Sequence, residues 1–307
     1  MMLAMLGSHL SVAGGLHRAL EQARTYGMGC VQIFTGNPRS WPRGKTPAQL
    51  IDAEQQSAWQ AARRSTGIEQ IVSHDSYLIN LASPAPAVLK QSIEAFRREM
   101  LRCEELGIPW LVTHPGAHMG EGEDAGLRQV AQSLDTLHRE LPGLRVVTCL
   151  EITAGQGSCL GHRLEHLKQI IDLVSEPQRL AVCLDTAHLL AAGYDLTSAA
   201  GAKATLEEVH AVVGLERVKV LHLNDSKVAR ASRVDRHEHI GKGHVALDAF
   251  GVIMRHPQLT QTPKILETPK GKDDAGQDWD TINLNVLQGL AQPAPAKRTS
   301  RKTPRKS

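Results

Sequence analysis

Short apolar runs rich in β-branched residues recur along this chain at nearly even intervals, and that rhythm limits the fold more than any other feature. The runs are MLGSHLS near the start, CVQIFT (30–35), QIVSH (70–74), WLVTH (110–114), RVVTCLE (145–151), LAVCLD (180–185), VKVLHL (218–223) and KILE (264–267). From the second onward their implied ends fall at 35, 74, 114, 151, 185, 222 and 267, steps of 34–45 residues. Between them lie amphipathic stretches such as 87–107, with apolar residues three and four apart and a closing glycine. One strand plus one crossover helix per step, repeated eight times, predicts an α/β fold, a (β/α)8 TIM barrel. A doubly wound open sheet is the alternative.

Composition sets the remaining bounds. The 307 residues are 41% apolar and 22% charged, ordinary globular values. No run approaches the ~18 apolar residues of a membrane span, and the start lacks the basic segment of a signal peptide. Five cysteines form no CxxC pair, so buried thiols in a reducing cytoplasm are expected rather than a disulfide scaffold. The net charge of +3 is uneven. Lys297, Arg298, Arg301, Lys302, Arg305 and Lys306 put six positive charges in the tail, leaving 29 basic against 32 acidic residues elsewhere. A single TIM-barrel domain over 1–290 and a basic, disordered arm over 291–307 are therefore expected.

The chemistry stands at the strand ends. Runs three to eight terminate in His74, His114, Glu151, Asp185, His222 and Glu267. Side chains alternate along a strand, so Val72, Val112, Cys149, Cys183, Val220 and Ile265, two positions earlier, share their direction. An apolar barrel core capped by polar groups at the C-terminal mouth results. Six isolated polar termini are costly to bury together unless a metal compensates them. His188, three residues past Asp185, and Asp235 and His237, alternating in VDRHEH, add the same donor types nearby. Five imidazoles and four carboxylates suit zinc, manganese or iron rather than calcium, and nine donors imply two or three ions. Such a cluster suits hydrolysis of a phosphodiester or a similar ester. His17, His138, His162, His166 and His210 are expected at the surface. His118, His239 and His244 stand near the site without aligning as ligands, and His9 is expected to support the site or touch a phosphate.

The blocks HLSVAGG, QIFTGNPRSW, SHDSYLINLASP, THPG, LEITAGQG, CLDTAHLLAAGYD, HLNDSK, SRVDRHEHIGKG and ILETP, in this order, resemble the endonuclease IV family of apurinic/apyrimidinic endonucleases. The resemblance spans residues of about 7 to about 285. It implies three Zn2+ per chain, with Mn2+ possible at one site. His74 and His114 would hold one ion, with Glu151 bridging to a second. Asp185, His222 and Glu267 would complete the second site, and His188, Asp235 and His237 the third. It further implies attack by activated water at the phosphorus 5′ to an abasic sugar, with Glu267 orienting the water. The products would be a 3′-hydroxyl and a 5′-deoxyribose phosphate, and 3′-blocking groups would be removed by the same attack. Glu151 and Glu267 are thus the implied catalytic residues.

By the same resemblance Arg39, Tyr77, Leu78 and Asn80 contact DNA, filling the gap where a base is missing. The 225–243 loop adds Lys227, Arg230, Arg233, Arg236 and Lys242 near phosphates. The implied partner is double-stranded DNA containing abasic sites, bound by a monomer in the cytoplasm and through DNA at the nucleoid. Two departures, Ala187 where a Cys is common and Ala117 where a Ser is frequent, touch no ligand. A metal-dependent sugar isomerase or epimerase is the rival reading. It leaves NPRSW, YLIN and the third metal group unexplained.

Overall fold

The apolar runs do form strands, and hydrogen bonds join eight of them edge to edge. The computed structural model describes residues 5–44 and 49–292. The strands are β1 (Leu6–Ser8), β2 (Cys30–Phe34), β3 (Gln70–His74), β4 (Trp110–Thr113), β5 (Val147–Glu151), β6 (Leu180–Asp185), β7 (Val218–His222), β8 (Asp225–Ser226), β9 (His237–Glu238) and β10 (Lys264–Leu266). The helices are α1 (His17–Thr25), α2 (Ala53–Thr66), α3 (Pro86–Leu106), α4 (Glu123–Glu140), α5 (Leu164–Leu173), α6 (Thr186–Ala192), α7 (Ala199–Val212), α8 (Leu247–Arg255) and α9 (Trp279–Ala291). Every strand of the large sheet is parallel, in the order β1-β10-β7-β6-β5-β4-β3-β2. The β8–β9 hairpin stands apart as an antiparallel pair inside the long loop after β7.

Backbone bonds between the two end strands close the sheet into a barrel. Gly29 N–H donates to Leu6 O and Leu10 N–H to Gln32 O, each at 2.9 Å, and His9 pairs with Gln32. Gly7 permits this seam, because a Cβ there would stand 1.9 Å from Cys30 O. The fold is thus the eight-strand barrel expected from the rhythm. Three strands stop one residue sooner than the sequence pattern indicates, at Phe34, Thr113 and Leu266. His114 and Glu267 therefore take the first step beyond the ladder, and Glu267 N–H donates instead to Asn224 Oδ1 (2.7 Å).

The inward set is legible in one buried cluster. Cys30, Val72, Val112, Cys149, Ala181, Cys183, Val220 and Ile265 fill the barrel interior, and a separate larger cluster packs the sheet against the helices. All five cysteines are free, with Cys159 alone among them partly exposed. No described helix is long and apolar enough to cross a membrane. The basic arm expected over 291–307 lies, from residue 293 on, outside the described residues, as do 1–4 and 45–48.

The surface expectation is overturned at three histidines, His138, His162 and His166, which are 2%, 5% and 0% exposed. His138 sits on the inner face of α4 beside Leu134 and Leu137, so helical phase outweighs the polarity of its neighbours in sequence. Neither of its ring nitrogens has a hydrogen-bond partner. Burial, aided by the Arg179 guanidinium, pulls its pKa down from 6.5 to about 4. A neutral buried imidazole costs stability as pH falls below 6.5 through 4, because the unfolded chain takes up the proton first. His138→Leu should flatten that acid limb, gaining on the order of 1–2 kcal/mol at pH 5 relative to pH 8. Urea unfolding at the two pH values measures it, and an unchanged pH dependence would contradict the assignment.

Candidate metal centre and DNA-facing mouth

The nine His and carboxylate side chains converge at the C-terminal mouth of the barrel. Glu151, fully buried, is central. Its Oε2 lies 3.2 Å from His74 Nε2 and 3.4 Å from His114 Nε2. Its Oε1 lies 3.1 Å from both His222 Nδ1 and His188 Nδ1. His222 Nδ1 is also 3.2 Å from Glu267 Oε2 and 3.9 Å from Asp185 Oδ2. Asp235 bridges the outer pair, 3.2 Å from His188 Nε2 and 3.4 Å from His237 Nε2. Donor atoms of His74, His114 and Glu151 fall within 4.8 Å of one another, as do those of Glu151, Asp185, His222 and Glu267, and those of Asp185, His188 and His237. Tetrahedral ligands ~2.0–2.1 Å from a zinc ion stand roughly 3.3 Å apart, which many of these spacings match.

Hydrogen bonds to the far side of each ring fix which nitrogen is left to coordinate. His74 Nδ1 meets Asp75 O (3.0 Å), His188 Nδ1 meets Ile152 O (2.9 Å) and His237 Nδ1 meets Glu267 O (3.2 Å). A carbonyl only accepts, so each Nδ1 carries the proton and each Nε2 presents its lone pair. His222 is turned the other way, with Nε2–H donating to Gln32 Oε1 (2.8 Å) and Nδ1 free toward the carboxylates. The His237 Nε2 atom is buried with no hydrogen-bond partner, although it faces Asp185 Oδ2 at 3.5 Å. An unpartnered lone pair aimed at two carboxylates is unfavourable until a cation lies between them. The residues present therefore fit a divalent metal cluster.

As imidazolium, the same rings supply the positive charge that a divalent ion between them would supply. Burial alone pushes the Glu151 carboxyl up, but His222, His114 and His188 outweigh it and hold it well below the usual carboxylate range. Glu267 behaves likewise under His222 and His9. Asp235 falls to about 2 because His188 and His237 overcome its burial. Cys183 Sγ reaches Glu151 and His222, yet burial pushes its thiol up to about 12, so it remains a neutral core group.

The spacing of the DTAH segment has a local cause. Asp185 ends β6 and is the N-cap of α6, its Oδ1 accepting His188 N–H at 2.8 Å. One carboxylate thus starts the helix and sets the phase that points His188 inward.

Three supporting residues went unread in the sequence. Gln32, 0% exposed, donates to Glu267 Oε1 (2.6 Å) and His9 Nδ1 (2.9 Å) while accepting from His222. Asn224 donates to Asp185 Oδ2 (2.6 Å), and Thr186 Oγ1 donates to Asn224 O (2.6 Å). The one available signal was Gln32 itself, a polar residue in phase with the barrel-facing Cys30. Gln32→Leu should strand His222, Glu267 and His9 together and weaken metal binding by roughly 10–100-fold. Competition with a chromophoric chelator reads this directly. Wild-type affinity in the variant would show that Gln32 does not hold these ligands.

A further His/carboxylate group, Glu123, His162 and His166, ties the start of α4 to the first turn of α5 and the loop before it. Gly161 N–H donates to His166 Nδ1 (3.2 Å), so the proton sits on Nε2 and is donated to Glu123 Oε2 (3.2 Å). That tautomer gives His166 no lone pair toward the group, while His162 Nδ1–H donates to Cys159 O (3.2 Å), so each buried ring has a hydrogen-bond partner and the group acts as a brace.

Above the cluster lies an open cleft of about 1030 Å3, bordered by Phe34, Arg39, Tyr77 and Lys270. Tyr77 is 66% exposed and meets Phe34 edge-on at 5.4 Å, and Phe34 meets His74 at 6.0 Å. An aromatic wall runs from the rim to the donor cluster. Arg39 lines this cleft and is exposed, and Leu78, next to Tyr77, is half-buried. Asn80 is placed differently from its expected DNA contact. Its amide donates to Ala117 O and accepts from the Ala82 and Ala117 N–H groups, all at 3.0 Å. This binds the loops after β3 and β4 together, so Asn80 shapes the mouth instead of reaching out of it. In the long loop, Arg230 is held by Gly193 O and Asp195 and Arg236 by its neighbour's carbonyl, while Lys227 approaches Glu238 at 3.9 Å.

Comparison with known proteins decides the family. Residues 20–284 match the family model described as a xylose isomerase-like TIM barrel. A probable endonuclease 4 from Geobacter sulfurreducens is 45% identical over 287 residues, covering 94% of each chain. The chain belongs to the endonuclease IV family. The crystal structure of endonuclease IV from Thermus thermophilus superposes with a TM-score of 0.77 at 33% identity, over 93% of this chain and 98% of that one. A D-tagatose 3-epimerase-like protein reaches a TM-score of 0.68 at 17% identity, over 93% of this chain and 96% of its own. That second likeness shows the shared barrel alone. Endonuclease IV membership, by contrast, rests on near-complete alignment of both chains.

Proposed function

We propose that this endonuclease IV family member is a DNA repair enzyme that cuts the phosphodiester 5′ to an abasic site. The cut leaves a 3′-hydroxyl and a 5′-deoxyribose phosphate, and 3′-blocking groups are removed by the same route. The observation that carries this reading is the convergence of five imidazoles and four carboxylates, with four ring tautomers set from behind, beneath a cleft rimmed by Arg39 and Tyr77. The His/carboxylate donor set favours three Zn2+, with Mn2+ accepted at one site. His74, His114 and Glu151 would hold one ion, Glu151 with Asp185, His222 and Glu267 the second, and His188, Asp235 and His237 the third. Divalent ions held there supply charge against the phosphoryl oxygens and make water nucleophilic at neutral pH.

The chain's own groups do the rest. Glu267 stays ionised beside His222 and accepts the proton or hydrogen bond that orients the incoming water. Tyr77, Leu78 and Arg39 occupy the gap in the base stack and hold the abasic sugar over the cluster, where exclusion of bulk water strengthens each electrostatic contact. The catalytic domain is taken as 1–290 and the arm over 291–307 as a nonspecific DNA tether. The enzyme is read as a monomer acting in the cytoplasm on nucleoid DNA.

The test is a duplex carrying one tetrahydrofuran abasic analogue, labelled at either end and incubated with metal-loaded protein. A single cut 5′ to the lesion, with a 3′ end that a polymerase extends, is expected. An intact duplex, or activity confined to a ketose or aldose panel, would overturn the reading in favour of a sugar isomerase or epimerase.

A further inference from the structure

Helix α3 carries a charged stripe that faces the protein and not the solvent. Arg98 and Glu99 are each 5% exposed, and Arg102 and Glu105 follow on the same face at helical spacing. Burying charge on a helix costs stability unless the groups are fully engaged. Here every one grips the segment that follows β2. Glu99 Oε2 accepts from Thr35 Oγ1 (2.5 Å), Arg102 Nε donates to Thr35 Oγ1 (3.2 Å), and Arg102 Nη2 donates to Glu99 Oε1 (2.5 Å). Gly36 lies directly on this ion pair, since a Cβ there would stand 2.5 Å from Arg102 Nη2.

The far end of the loop is held by the same helix. Arg98 Nη1 donates to Arg43 O (3.2 Å) and Nη2 to Gly44 O (2.5 Å). Beyond it, Leu50 and Ile51 N–H groups donate to Glu105 at 3.0 and 2.8 Å. Midway, Ser76 Oγ, next to Tyr77, donates to Pro38 O (2.9 Å), and Asn37 Oδ1 accepts from Arg39 N–H (2.9 Å). Arg39 thus stands exposed on a loop fixed at its start, its centre and its end.

The geometry points to Arg98, Glu99 and Arg102 as positioning residues that preset the 35–44 loop, so that Arg39 already faces the abasic gap before DNA arrives. This rests on the abasic-site reading above. A loop ordered in advance does not lose that conformational freedom on binding, so loosening it weakens binding of the lesion while leaving the chemistry at the donor cluster unchanged.

The test uses the metal-loaded full chain. Arg98→Met and Thr35→Val should each raise KM for the abasic duplex about tenfold with kcat within about twofold. Thr35→Ser, which keeps the hydroxyl, should restore wild-type values. Arg98→Met should add no further loss in an Arg39→Ala background, because the anchor acts through Arg39. Losses that multiply in the double variant, or a fall in kcat at unchanged KM, would overturn the proposal. A DNA-free arm separates it from the functional reading: native-state tryptic cleavage after Arg39 and Arg43 should be about tenfold faster in Arg98→Met and Thr35→Val than in wild type. Equal cleavage rates would overturn the anchor even if incision is seen. An inactive wild type with faster cleavage in the variants would overturn the incision reading alone.

Discussion

Glu151→Gln should lower incision of an abasic duplex by roughly 10^3-fold or more while the barrel stays folded. Glu151 is 0% exposed and faces four imidazoles, His74, His114, His188 and His222, at 3.1–3.4 Å. Glutamine has nearly the same shape, so the interior beneath it, Cys149 and Cys183, is undisturbed. What changes is charge, because the amide cannot balance two cations. Its nitrogen is a donor with no available lone pair and so cannot replace a carboxylate oxygen as a ligand. Metal content should fall with the activity, and thermal unfolding should stay cooperative. A variant retaining metal and cleaving near the wild-type rate would show that Glu151 bridges nothing.

Asp225→Ala should have the second-largest effect, and it acts at a distance from the chemistry. Asp225 is buried, and its two oxygens accept the N–H groups of Ser226, Gly241, Gly243 and Val245 at 2.7–2.9 Å. Gly243 is required there, since a Cβ would lie 2.2 Å from Ser226 O. These bonds fold the long loop back on itself and present Asp235 and His237 to the cluster. Removing the carboxylate leaves four donors without an acceptor. The cost should be about 3 kcal/mol or more of stability, together with roughly 10^2-fold in incision as the third ligand group loosens. Denaturant unfolding and steady-state kinetics on one preparation check both. Intact kinetics with lost stability would show that the loop holds its shape without Asp225.

The barrel was legible because two periodicities coincide in this chain. The repeat of 34–45 residues set the number of strands, and alternation within each run named its inward residues. Val72, Val112, Cys149, Cys183, Val220 and Ile265 all lie in the interior cluster. Seven of the nine donor residues were legible because they stand at or just past a strand end, and Asp235 and His237 because they alternate in VDRHEH. The parts that were not legible depend on contacts distant in sequence. Gln32 is a lone amide in an apolar run until His222, 190 positions away, donates to it. The Glu123–His166 brace joins positions 43 apart, and nothing local tells a braced histidine from a solvated one. Asn80 matched a motif by identity, but only its bonds across to Ala117 reveal which way it faces.

If the nine donors act as a divalent metal centre for phosphodiester hydrolysis, incision must follow metal content. The direct measurement is incision of a single-lesion duplex by protein stripped with a strong chelator, with bound metal counted in the same samples as zinc is returned. The stripped protein should be folded and inactive, and cleavage 5′ to the lesion should return as zinc rises toward three ions per chain. Protein verified as metal-free that still cuts at the undiminished rate would contradict that dependence.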